Sequence, residues 1–349
     1  MFFSEDRLTL PVKINVYRLN IKMYQRILSF PRSIFAILLI ITLVYGCNET
    51  DKVEEEIQKI NVDLRVLRFD REFAKASPLD IPVLKESYPY LFPAQYNDSV
   101  WVAKLQDTLQ VELLEEVHSV FADFDGVQNN LEDLFRHVKY YFPEYQVPEV
   151  VTLTSDVQYE NRIILTDSLL LLGLDNYLGA EHKFYRDIQQ YIKAGFDKKY
   201  LVSDVASAFV KQVVPRAENR SFLARIIYYG KELYVKDKLM PNSADHLKIN
   251  YSEDELEWAK ANEEPIWRNF IEQEYLYSTD MKLSRRFLEP APFSKFGLEL
   301  DIESPGRLGR FIGWEVVKAF MNKNDVSLQQ MLNLPSEEIF KKSNYKPAK

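Results

Sequence analysis

Residues Ser33 to Tyr45 read SIFAILLIITLVY, an uncharged apolar run that stops just short of the only cysteine in the chain, Cys47. A helix that crosses a bilayer needs about 20 apolar residues. This run is shorter, so it reads as the core of a secretory signal, with Arg26 and Arg32 as its basic flank. The stretch Val44-Tyr45-Gly46-Cys47 places a small residue directly before the cysteine, the arrangement of a lipobox, although Tyr45 is bulky for its place. A cysteine spent on lipid can neither pair in a disulfide nor serve as a catalytic thiol. The alternative is a plain anchor helix followed by a chance cysteine. The predicted organisation is a signal peptide over 1–46, with 1–22 an over-long start before Met23. A lipidated Cys47 and polar tether follow over 47–58, then a single domain over 59–349. The site of action is then the cell envelope: the periplasmic side of the inner or outer membrane, or the cell surface.

The rest of the chain must fold as an ordinary globular body. Its 349 residues are 46% hydrophobic and 13% aromatic, enough rings to fill a sizeable core. The net charge of -8 gives no electrostatic support to nucleic-acid binding.

Apolar spacing predicts mostly helices around a small sheet. Val62, Leu64 and Val66 alternate with Asp63 and Arg65, predicting a strand over Lys59 to Asp70. Trp101, Leu105, Leu109, Leu113 and Val117 recur every four residues, predicting one helix over Asp98 to Asp123. A second ends at Pro143. Val150 to Thr154 and Asn161 to Thr166 read as strands, and Leu169 to Leu174 as a strand covered on both faces. Helical spacing returns over Phe184 to Ala194, Leu201 to Val213 and Ser221 to Met240. Ser252 with Glu255 forms a capping box. Pro265 separates two further helices, and helices are also expected over Gly306 to Phe320 and Ser336 to Lys342. The fold class is α+β.

Motifs that carry chemistry are scarce. No two of His118, His137, His182 and His246 stand four apart, so a His-Glu-x-x-His zinc helix is excluded. There is no nucleophile elbow, phosphate loop or dinucleotide fingerprint. His182, after Glu181, has the one suggestive setting among the histidines, yet a structural histidine bonded to backbone is the commoner arrangement. The acidic run Glu54-Glu55-Glu56 reads as a solvated face. Three of the ten glycines, Gly306, Gly309 and Gly313, share one face of the last long helix. Glycine costs about 1 kcal/mol against alanine inside a helix, so such a row implies a close neighbour. It is read as tight packing, or as a groove wall with Arg307 and Arg310 turned to an anionic group.

Several ordered stretches together resemble the gliding-motility lipoprotein GldB family of the Bacteroidetes. They are LRVLRFDREF, HVKYYFPEYQVP, LLLLGLDNYLGAEHKFY, IIYYGKELY, EEPIWRNFIE, RRFLEPAPFSKF, SPGRLGRFIGWEVVKAFM and the tail KKSNYKP. The layout is also similar to gluzincin-type zinc peptidases. That resemblance implies a zincin-like, peptidase-shaped domain with Leu201 to Val213 in the place of the active helix. Ser207 and Lys211 then stand where the two histidines would be, Ala208 where the catalytic glutamate would be, and Tyr229-Gly230 in the place of the Glu-Gly pair. The implied protein is non-catalytic and needs no metal or cofactor. It is anchored by lipid and binds proteins of the gliding and secretion apparatus through a cleft to which His182, Arg307 and Arg310 are candidates. Two other readings stay open: a zinc hydrolase using ligands such as His182 and Glu181, and a surface lipoprotein that captures a ligand.

Overall fold

The computed structural model describes residues 48–297 and 299–348. Cys47 and the signal segment lie outside the described residues. Helix α1 (Asn48–Gln58) belongs to the unit that ends at Lys59, and Ile60 to Lys349 forms the second compact unit.

The second unit begins with β1 (Val66–Leu67), α2 (Phe69–Lys75), α3 (Ile81–Ser87), α4 (Asp98–Gln106), α5 (Thr108–Val120) and α6 (Asp125–Tyr141). Three strands follow, β2 (Glu149–Leu153), β3 (Ile163–Leu165) and β4 (Leu169–Gly173). The remaining helices are α7 (Gln190–Lys193), α8 (Leu201–Val213), α9 (Phe222–Leu239), α10 (Asp245–Ile249), α11 (Glu253–Ala261) and α12 (Glu263–Glu272). They end with α13 (Lys282–Phe287), α14 (Leu308–Lys323), α15 (Leu328–Asn333) and α16 (Ser336–Ser343). The architecture is α+β and mostly helical. The sheet order is β1-β2-β4-β3, with β1, β2 and β4 parallel and β3 an antiparallel edge.

Alternation in the inner strands explains how the sheet is covered on both faces. Val150, Leu170 and Leu172 join the main core, which also holds α6, α8, α9 and α14. Val151 is buried on the opposite face with Phe73, Leu84, Tyr88 and Phe92, and Leu169 and Leu171 pack against that smaller core.

Four local expectations need correction. Only two residues of the predicted first strand pair, because Arg68 bonds Asp70 and α2 starts at Phe69. The single helix over 98–123 is two, because Asp107 takes an extended conformation and accepts from the Leu109 N–H at 2.9 Å, capping α5. The helix over 184–194 shrinks to a 3₁₀ turn at Lys183–Tyr185 and to α7. There the Tyr185 hydroxyl donates to the Asp175 carbonyl at 2.5 Å and accepts from the Leu178 N–H, which ties the chain to the preceding loop. The break placed at Pro265 falls at Asn262, with Pro265 in the first turn of α12, where a proline costs no hydrogen bond.

The helices that build the cleft follow the sequence closely. Ser221 caps α9 through the Ala224 N–H at 3.1 Å, and the Ser252 and Glu255 capping box starts α11. The glycine row does mark a close approach. A β-carbon on Gly313 would meet the Ile226 carbonyl, one on Gly230 the Gly313 carbonyl, and one on Gly309 the Leu288 side chain at 2.8 Å. The α9 and α14 backbones therefore touch, which no larger residue at Gly230 or Gly313 would permit.

Candidate functional site

A cleft of about 750 Å³ opens between the edge strand and α8. Arg162 and Ile163 at the start of β3 form one wall. Asp204, Ser207, Ala208 and Lys211 of α8 form its floor, and Tyr251, Gly306 and Arg307 close its far side. The α8 residues share a face by their spacing of three and four.

Two loops on the far side carry backbone strain. Asn250 has φ +60° and Arg307 has φ +63°, the left-handed region in which side chains other than glycine are uncommon. The two residues hold each other, since the Arg307 guanidinium donates to the Asn250 carbonyl at 2.7 Å and stacks 5.2 Å from the Tyr251 ring. The Tyr251 hydroxyl donates in turn to the Gly306 carbonyl.

Charge in the cleft is sorted into paired and free groups. Asp204 accepts from Arg162 Nε at 2.8 Å and from the Tyr177 hydroxyl at 2.9 Å. Burial, with the Asp204 charge beside it, pushes the Tyr177 phenol well up. Lys211 is exposed, and among the described residues no hydrogen bond or ion pair holds it.

Beneath the floor lies a polar cluster. Lys236 of α9 is 3% exposed. Its Nζ lies 2.7 Å from Ser203 Oγ, 2.9 Å from Ser207 Oγ and 2.5 Å from the Lys248 carbonyl. Ser203 donates to the Leu247 carbonyl at 2.6 Å, and Ser207 reaches the Ser203 carbonyl at 2.9 Å. Burial disfavours the ammonium and brings the Lys236 amine down to about 7, although the Asp204 and Glu232 charges favour its protonated form. Glu232, one turn earlier on α9, is buried, and among the described residues its Oε1 has no hydrogen-bond partner. Burial holds its carboxyl above the usual range, against the Tyr228 hydroxyl and the Arg310, Lys211 and Lys236 charges.

The residues singled out in the sequence separate here. Ser207, Ala208, Lys211 and Arg307 line the cleft. Arg310 instead stacks 4.1 Å over the Tyr229 ring and donates to the Leu288 carbonyl at 2.6 Å. His182 sits outside the lining residues. Its Nδ1 accepts from the Phe184 N–H and its Nε2 lies 3.4 Å from Glu116. Glu181 bonds Gln190 and Lys193. Among the described residues, no three histidine, cysteine, aspartate or glutamate side chains are grouped to hold a metal. Sequence reasoning missed Lys236, Ser203 and Glu232. The one signal was a pair of serines four apart on a largely apolar helix.

The fold and cleft define an α+β protein, and among the described residues no helix is long and apolar enough to cross a membrane. The chain belongs to the family described as gliding motility protein GldB, which it matches over residues 50–347. It is therefore a membrane-anchored lipoprotein with a role in gliding motility. Neither the curated proteins nor the solved structures gave a match.

Proposed function

We propose that this lipoprotein, held to the envelope by a lipid on Cys47, binds other proteins of the gliding and secretion apparatus through the cleft above α8. It works without zinc-peptidase chemistry, in a cleft shaped like that of a peptidase. The observation that carries the reading is Lys211: among the described residues it is an exposed ammonium without an ion pair, in a sizeable cleft where Arg162 is paired with Asp204 and Arg307 is held by the Asn250 carbonyl. A free charge beside ordered aromatic walls is suited to a partner segment with an acidic residue.

The direct test is gliding. Lys211→Glu should abolish surface movement while abundance and lipid labelling stay at wild-type values; the side chain is exposed, and the new charge near buried Glu232 should lower the melting temperature only slightly. Normal gliding in that variant would remove the cleft from the account. Separately, Cys47→Ala should leave the precursor uncut and unlabelled by a lipid precursor; unchanged labelling would move the anchor elsewhere.

A further inference from the structure

The cluster beneath the cleft has a property that a purely structural lysine lacks: one of its partners faces solvent. We propose that Ser207 is a nucleophile and Lys236 its general base, acting on a carboxylic ester or amide held in the cleft. The inference uses the cleft of the proposed function and adds chemistry that needs no metal.

Hydrogen-bond accounting supports two protonation states without any movement of heavy atoms. As an ammonium, Lys236 donates to Ser203 Oγ, Ser207 Oγ and the Lys248 carbonyl, while the Ser207 hydroxyl donates to the Ser203 carbonyl. As a neutral amine, it keeps two donors for Ser203 Oγ and the Lys248 carbonyl. Its lone pair then accepts the Ser207 hydroxyl, which turns through one bond. Ser203 donates to the Leu247 carbonyl in both states. Loss of a proton from Lys236 therefore leaves no group unpaired, and the neutral amine is placed to accept the Ser207 proton.

The chemistry balances on these groups. Ser207 Oγ attacks the carbonyl carbon and its proton passes to Lys236 Nζ. The tetrahedral adduct collapses, the bond to the alkoxide or amine breaks, and the leaving group takes that proton from Nζ. Water then attacks the acyl-serine, gives a proton to the amine, and the proton returns to Ser207 as the acid leaves. Lys211, one turn along the same face, supplies a positive charge beside the developing oxyanion. The amine is set by groups from three helices. Asp204 on α8 and Glu232 on α9 favour its charged form, while Arg307 and Arg310 at the start of α14 oppose it.

The test is labelling of the full lipidated chain in detergent with a fluorophosphonate, followed by peptide mass spectrometry. The adduct should fall on Ser207. Its rate should rise about tenfold per pH unit below pH 7 and level off above, as one group near 7 loses its proton. Ser207→Ala should carry no label at that peptide, and Lys236→Met should label at least about 100-fold more slowly. Lys231→Met, which alters a neighbouring buried lysine, should label at the wild-type rate. Absence of a Ser207 adduct from pH 6 to 9, or a rate flat in pH, overturns the proposal; the pH profile needs only wild-type protein, so a Lys236 variant that fails to fold leaves the test intact. A cleft that crosslinks to a partner while Ser207 stays unlabelled would remove this chemistry and leave the binding role standing.

Discussion

Helix α9 carries two buried lysines five residues apart, and they illustrate opposite uses of one side chain. Lys231 donates to the carbonyls of Leu332 and Leu334 at 2.9 and 2.8 Å, the free end of α15. Backbone carbonyls cannot exchange protons, so this lysine fixes one helix to another. Lys236 points to the opposite side of α9, where two of its three partners are hydroxyls, and one of those lines a cleft. Burial lowers both amines. The difference is the chemistry of the acceptors. The first half of α9 is a structural joint, in which Gly230 meets Gly313 and Lys231 secures α15. The second half presents a titratable group to the floor of the site.

The largest effect should come from the joint. Gly313→Leu forces a side chain into the Ile226 carbonyl and should cost on the order of 3 kcal/mol or more, measured by urea unfolding. Retention of wild-type stability would mean that the two helices can separate freely.

A middle-sized effect is expected for Lys231→Met. It leaves the two α15 carbonyls without their buried donor and should cost about 1–3 kcal/mol at pH 6.5. A neutral outcome would erase the contrast between the two lysines from the structural side.

The test sharpest for the comparison concerns pH, and reads a slope rather than a loss of stability at one pH. Lys236 falls to about 7 in the folded chain against about 10.4 in an unfolded one. Between those values the unfolded chain binds more protons, so this group makes stability rise with pH from about 7 to about 10. Below 7 both states are protonated and its contribution is constant. Lys236→Met should remove this part of the rise, seen as a flatter plot of unfolding free energy against pH. An unchanged slope would show that Lys236 titrates alike in both states.

The sequence disclosed the frame of the site more fully than its chemistry. Helices α8, α9 and α14 were legible because their apolar stripes repeat at 3.6 residues and their starts carry ordinary signals, such as Ser221. The covered strand β4 was legible from its unbroken leucines, and a close neighbour of α14 from a glycine row read as tight packing or a groove wall; that the neighbour is α9 was not. The first strand was over-read, because alternation marks a residue that faces a core but says nothing of whether a neighbouring strand is there to pair with it. Lys236 was invisible for a different reason. A lysine in a helix ordinarily sends its amine to solvent. Its burial here depends on Ser203 and Ser207, 33 and 29 residues earlier, and on the Lys248 carbonyl beyond a turn. Such convergence is a product of the fold, with no local pattern to announce it.

The measurement that bears most directly on the account is site-specific photocrosslinking in gliding cells, with the photoreactive residue placed at Lys211 and, as a control, at Lys341 on α16. The account predicts a discrete crosslinked partner from position 211 that is absent from position 341. Identical patterns from both positions, or none from 211 in cells that glide, would contradict a partner-binding cleft.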